Sequence, residues 1–290
     1  MERVEISRPA LGTWVRIVAR HPDRTRAERA IDRGFAAIAR VDAQMSIHRA
    51  DSQVAAVNRA AGMAVAAVDF EVLDVVQRAC DAAARSNGIY DPTVLPLMRL
   101  YGFYRDDDHR YPSDGEIGQV LGAMGWRQLS IDRTRGTLGL ARAHAGLDLG
   151  SIGKGWAVDR AADALRAAGV SSGLVDVGGN VYALGTPDER SEGWSVGVLH
   201  PVTGRVDRVF TLRDQAVATS GNHEQFRILN GLRVGHLFDA RAGRPSDGHL
   251  SASVVAETGV ESDVMSTSAF LLGPSGFAGW PRAQCAHFIG

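Results

Sequence analysis

The stretch WSVGVLHPVTGRVDRVFTLRDQAVAT, residues 194–219, decides the fold class. Three short runs in it, 194–199, 206–212 and 216–219, are rich in β-branched and large apolar residues, and the links between them hold turn-forming Pro, Gly and Asp. More strands are expected on either side, at 225–229, 235–238 and 251–257 downstream and at 174–177 upstream. A helix over 262–272 closes the pattern. Long runs of strands interrupted by a few helices, in place of a strict strand–helix alternation, indicate an α+β fold with a mostly antiparallel sheet and flanking helices.

Working outward, residues 12–20 alternate as a strand. Apolar residues at Ala27, Ala30, Ile31, Gly34, Ala37, Ile38 and Val41 recur at helical spacing, which predicts an amphipathic helix over 24–41. A loop follows at 45–51, then a short helix begun by Ser52 and running to Asn58. Residues 70–86 form another amphipathic helix, ended by Asn87-Gly88. The segment 89–97 holds Pro92 and Pro96 and is expected to be an extended loop. A polar insertion around 105–145 comes next. It opens on a charged, exposed 105–110, continues with a Ser113-capped helix to Met124, and ends in a hairpin of strands 129–131 and 136–140. Then comes a strand–loop–helix unit: strand 146–149, a glycine-rich loop, and helix 156–168. The turn Gly178-Gly179 follows the strand ending at Val177. The chain is expected to form one domain over 1–290.

A 290-residue chain with 45% hydrophobic and 22% charged residues has the balance of a folded globular protein, so disorder is not expected. The formal net charge of -1 supplies no basic field, and no basic patch stands out, so nucleic acid is not an expected partner. No stretch approaches the roughly 20 apolar residues of a membrane helix. Charges near the N-terminus interrupt any signal-peptide core, so the expectation is a cytoplasmic location, or export if a leader preceded these residues and was removed. Cys80 and Cys285 lie far apart, and Cys80 sits in a helical apolar pattern as a buried thiol.

Three places could carry chemistry. The run 148–155 (DLGSIGKG) holds Lys154, the only lysine beside 31 arginines. A lysine is a compact point charge, suited to reach a phosphate between close-packed backbones. The glycines alone could equally mark a tight connection into a helix. It is not a P-loop: Asp148 stands where that motif needs glycine, and Gly155 where it needs a magnesium-binding hydroxyl. Second, Asp263 and Thr267 are four apart on a helix and share a face, offering a carboxylate and a hydroxyl to a hard cation. They would also suit helix capping with Thr267 bonded back to a carbonyl. Third, 218–224 (ATSGNHE) and 236–245 (HLFDARAGRP) are strand ends running into turns, with Ser220 and His236 as polar candidates. Ser220 lacks a GxSxG setting, and no HExxH spacing supports zinc.

Taken in order, Leu11-Gly12-Thr13, Met45-Ser46 with Asp51-Ser52, Asp91-Pro92-Thr93-Val94 with Pro96-Leu97, 148–159, Asp176-Val177-Gly178-Gly179, Ala218-Thr219-Ser220-Gly221, 236–245, and Asp263 with Thr267 resemble the ApbE family of flavin transferases across nearly the whole chain. The resemblance implies an ApbE-like, T-fold-related α+β structure. It also implies an enzyme that cleaves FAD with Mg2+ and attaches FMN to a Thr or Ser hydroxyl of an acceptor flavoprotein, releasing AMP.

By the same resemblance, Asp148 and Lys154 contact FAD. Ser151, through its backbone oxygen, joins Asp263 and Thr267 around the metal. Leu11, His48, Ile89, Tyr90 and Asp91 line the flavin site, and Ser220 and His236 complete it. His236 is the candidate base near the acceptor hydroxyl, and Lys154 is catalytic with it. The oligomeric state stays open, a homodimer included. Leu11 departs from the family's usual methionine, His48 from a common tyrosine, and Ala240 and Ala242 from the proline and threonine of a DPRTG run. Two competing readings use the same residues: an FAD pyrophosphatase yielding FMN and AMP, and a non-catalytic flavin-binding or delivery module.

Overall fold

In the computed structural model, which describes residues 1–104, 110–223 and 225–290, β1 (Glu2–Ala10) and β2 (Thr13–His21) form a hairpin. Leu11 and Gly12 close it with φ of 51° and 69°, as a two-residue type I′ turn requires. The other strands are β3 (Val65–Ala67), β4 (Leu129–Asp132), β5 (Thr137–Leu140), β6 (Ser172–Val177), β7 (Asn180–Leu184), β8 (Trp194–Leu199), β9 (Val206–Leu212), β10 (Gln215–Gly221), β11 (Phe226–Leu229), β12 (Leu232–Gly235), β13 (Phe238–Asp239), β14 (Arg244–Pro245), β15 (Ser251–Ala256) and β16 (Cys285–Ile289). The helices are α1 (Arg24–Met45), α2 (Gln53–Arg59), α3 (Phe70–Arg85), α4 (Leu95–Leu100), α5 (Asp114–Ala123), α6 (Gly153–Ala167) and α7 (Gly259–Phe277).

Seven strands form the main sheet, in the order β1-β2-β6-β7-β10-β15-β16, and every neighbouring pair is antiparallel. Side chains alternate across it as the pleat demands. Val15, Ile17, Val175, Val177, Tyr182, Ala252 and Val254 face a layer of helices that includes α1, α6 and α7. Val18, Leu174, Val181, Val217 and Val255 face the opposite way, under Val198, Phe210 and Leu212 of the β8–β9 hairpin. A separate apolar cluster joins α4 and α5 to Val234 and Phe238.

The α6–α7 contact is unusually close. A Cβ on Gly155 would overlap the carbonyl oxygen of Gly259, and one on Gly259 would stand 2.5 Å from the Gly155 carbonyl oxygen. The two backbones therefore meet with no side chain between them, which only glycine permits. Asp159, one turn along α6, accepts from the backbone N–H groups of Gly259 at 2.6 Å and Val260 at 2.9 Å. A carboxylate of one helix thus satisfies the first turn of the other. Burial outweighs those two hydrogen bonds and pushes the Asp159 carboxyl up to about 6.

Several expectations change. The edge strand β1 goes unread because Glu2, Arg3, Glu5 and Arg8 break its apolar pattern; such charges suit an unpaired edge. The loop expected at 89–97 gives way to α4 from Leu95, since Pro96 sits in the first turn, where its missing N–H has no partner to lose. The expected strand 146–149 is not formed as a strand. Instead the Asn58 side chain donates to the Leu147 carbonyl at 2.9 Å and accepts from its N–H at 2.7 Å, and Asp148 N–H donates to the Pro92 carbonyl at 2.8 Å. The helix expected from 156 begins at Gly153, so Lys154 lies in its first turn.

The strand expected at 235–238 is split: Gly235 ends β12 and Phe238 opens β13, with His236 between them. The helix expected from 262 starts at Gly259, capped by Thr258, which accepts from Glu261 N–H at 3.3 Å. β7 is an addition, paired to β6 through the Gly178-Gly179 turn. Within the expected insertion, residues 105–109 of the charged segment expected at 105–110 lie outside the described residues and Arg110 is exposed, while β5 pairs with both β3 and β4.

Replacing Gly155 by Ala forces α6 and α7 apart. The expected cost is about 2 kcal/mol or more, read as a lower urea midpoint, and an unchanged midpoint would show that the contact bears no strain.

Candidate active site

The first turn of α6, the middle of α7 and the start of β7 converge. Asp263, 4% exposed, accepts from Gly155 N–H through Oδ2 at 2.8 Å. Its other oxygen, Oδ1, accepts at 3.0 Å from the Asn180 amide nitrogen, and the Asn180 amide oxygen accepts from Lys154 Nζ at 3.3 Å; this amide orientation is the one that pairs donors with acceptors. Burial pushes the Asp263 carboxyl up, and the nearby ammonium of Lys154 and the Gly155 N–H oppose that shift.

One turn further along α7, Thr267 Oγ1 lies 3.0 Å from Ser220 Oγ, which is itself 2.8 Å from Ser266 Oγ. The serines around it behave differently. Ser262, Ser266 and Ser268 bond back to the carbonyls of Gly259, Asp263 and Val264, all at 2.9 Å. The alternative of a capping role for Asp263 and a back-bonded Thr267 is therefore overturned. Thr258 caps the helix, Asp263 points at α6, and Thr267 turns its hydroxyl to β10.

Along the other wall, Asp148 accepts from Tyr104 OH at 2.7 Å and from Gly150 N–H at 2.8 Å. His48 meets the Tyr104 ring edge-on, with centroids 5.2 Å apart. Ser151 Oγ donates to Tyr90 OH at 3.0 Å, leaving its backbone oxygen as the expected metal donor. Ile89 accepts the Ala240 N–H through its carbonyl at 3.0 Å. Asp91 is engaged within the chain: Thr93 N–H and Oγ1 donate to it at 2.8 and 2.6 Å, and Trp126 N–H at 2.9 Å. Its backbone, and not its carboxylate, is what remains to line a ligand. Leu11 sits in the β1–β2 turn, and just beyond it in β2 the Trp14 carbonyl accepts from Gly178 N–H at 3.2 Å.

His236 reaches this region from the β12–β13 connection. Asn222 holds that connection by accepting from Leu237 N–H at 3.2 Å and donating to the Ser246 carbonyl at 2.7 Å. The His236 Nδ1 lies 3.1 Å from the Gln225 carbonyl, which sets Nδ1 as the protonated nitrogen and leaves Nε2 as an acceptor. Burial lowers its pKa to about 4, and the charges of Lys154 and His223 push the same way.

These groups can hold a polyanion against an ammonium while a neutral imidazole takes a proton. Among the described residues no three His, Cys, Asp or Glu side chains gather as a metal cluster. A cation here would bind one carboxylate and neutral oxygens, a hard donor set that fits Mg2+ sharing its shell with substrate phosphates. Asn180, Tyr104 and Ser266 went unread in the sequence. Asn180 could have been found, because it directly follows the Gly178-Gly179 turn and must therefore open a strand. Among the described residues no helix is long and apolar enough to cross a membrane.

The ApbE family model matches residues 11–287. An FAD:protein FMN transferase of Treponema pallidum is 32% identical over 276 residues, covering 89% of this chain and 75% of that protein. One of Klebsiella pneumoniae is 31% identical over 246 residues, covering 83% and 75%. Among solved structures, the ApbE protein of Thermotoga maritima has a TM-score of 0.85 at 30% identity, covering 93% of this chain and 87% of that one. The flavin transferase ApbE of Vibrio cholerae has a TM-score of 0.84 at 27% identity, covering 100% and 97%.

Because its folded pKa lies below the ordinary histidine value, His236 favours the folded state above pH 6.5, and that contribution is lost as pH falls towards 4. Its ring signals in an NMR titration should move only near pH 4. Lys154→Met should shift that midpoint upward, since a neighbouring positive charge is removed; an ordinary midpoint near 6.5 in the intact protein would contradict the burial described.

Proposed function

The chain belongs to the ApbE family, and on that premise we propose that it transfers FMN from FAD to a Thr or Ser hydroxyl of an acceptor flavoprotein, in a Mg2+-dependent reaction that releases AMP. The observation that carries this reading is the convergence, from distant parts of the chain, of a buried carboxylate (Asp263), the single ammonium (Lys154) and a neutral imidazole (His236). The same convergence supports one working unit over residues 1–290.

In this reading Asp263, Thr267 and the Ser151 backbone oxygen would hold Mg2+, which when bound neutralises charge on the pyrophosphate. Lys154 binds the pyrophosphate as a point charge that needs no reorganisation during the reaction. Asp148 anchors FAD with Lys154, while Leu11, His48, Tyr90, Ser220 and the backbone of Ile89 and Asp91 line the flavin side. The acceptor hydroxyl oxygen forms a bond to the FMN phosphorus as the bond from that phosphorus to the bridging oxygen breaks. The bridging oxygen leaves with AMP, and the hydroxyl proton passes to His236 Nε2. An imidazole that is unprotonated at neutral pH is free to accept it, and the negative charge of a bound pyrophosphate raises its basicity.

Incubation with FAD, Mg2+ and a candidate acceptor should give an acceptor heavier by one FMN in intact mass spectrometry, together with AMP. Asp263→Ala and Lys154→Met should each lower the rate by about 100-fold or more with melting behaviour retained. Free FMN and AMP without adduct, across several acceptors, would replace the transferase with the pyrophosphatase. FAD recovered intact would leave a flavin-binding module.

A further inference from the structure

Asn180 occupies a position that the reaction chemistry does not itself assign. It is 2% exposed, opens β7 directly after the Gly178-Gly179 turn, and lies on the sheet face that meets α6 and α7. Its register partner is Val177, so the turn sets its backbone within one residue of a fixed point. From there the amide touches two opposite charges at once: nitrogen to Asp263 Oδ1 at 3.0 Å, and oxygen to Lys154 Nζ at 3.3 Å.

An ammonium close to a buried carboxylate is drawn into direct contact with it, because the attraction strengthens where water is scarce. Direct contact would saturate both groups. The carboxylate would lose the lone pairs that a cation needs, and the ammonium would lose the freedom to reach a phosphate. A primary amide is the uncharged side chain that presents a donor and an acceptor side by side, so it can bridge the two charges and keep them apart. Aspartate there would repel Asp263, and an apolar residue would leave both charges without this partner.

We infer that Asn180 is a positioning residue that keeps Lys154 off Asp263, so that the carboxylate stays available to a divalent cation and the ammonium to the substrate pyrophosphate. The inference rests on the metal role proposed for Asp263. It concerns how the site is kept open and needs no change in the reaction itself.

The test measures Mn2+ binding to the nucleotide-free protein, by the loss of free-ion EPR signal. Asp263→Ala serves as the control for the metal role. Asn180→Leu should weaken Mn2+ binding by tenfold or more with a retained far-ultraviolet CD spectrum. Removing the ammonium as well, in Asn180→Leu/Lys154→Met, should restore binding to within about threefold of Lys154→Met alone. A residue that only supports the fold would show no such rescue. If Asn180→Leu does not fold, Asn180→Ser carries the same comparison.

Asn180 variants that bind Mn2+ like the unaltered protein, or that stay weak after the lysine is removed, would overturn the inference while leaving the metal role of Asp263 standing. Mn2+ binding that is indifferent to Asp263→Ala would overturn both.

Discussion

The glycine-on-glycine contact between α6 and α7 is the constraint on which the rest depends. Because Gly155 and Gly259 bring the two backbones together, the Gly155 N–H can reach Asp263 across the interface. The same approach lets Asp159 satisfy the start of α7 in place of water. Asp263, in the candidate site, is consequently held by a backbone N–H, which limits how far it can drift. Lys154 differs, with a flexible stem, and the Asn180 amide meets its free end.

The polar interior of α7 follows from that arrangement. A helix enclosed over residues 259–270 would ordinarily be apolar on all sides there. Here three of its serines bond to carbonyls of their own helix and so leave little unmet demand in the interior. Thr267 departs from that habit and pairs across to β10. The contrast between adjacent hydroxyls, Ser266 bonded inward and outward at once and Thr267 outward, marks where the helix stops serving itself.

Much of this was legible in the residues. Lys154 stood out as the only lysine, and the four-residue spacing of Asp263 and Thr267 correctly placed them on one helix face. The strands from 194 to 219 read well because each alternates or is β-branched and is bounded by turn residues. What stayed hidden has a physical cause in each case. Asn58 imitates a neighbouring strand with a single side chain, so residues 146–149 look like a strand without being paired as one. The start of α6 was obscured because Gly153 and Gly155 have poor helix propensity, and tertiary contact with α7 overrides it. The pairing of Asn180 with groups 26 and 83 positions away in the chain is tertiary, and no local pattern encodes it.

The main sheet has two unlike faces, and the distinction reaches beyond architecture. Residues facing α6 and α7 also set where Lys154 and Asp263 stand, so their shapes answer to chemistry as well as to packing. Those under the β8–β9 hairpin, such as Leu174, Val181 and Val217, pack against Val198, Phe210 and Leu212. Substitutions at successive residues of one strand therefore meet different physical constraints, with a period of two. Across a lineage, drift in volume should accumulate on the hairpin side, where neighbours can repack together, and stall on the helix side of the very same strands.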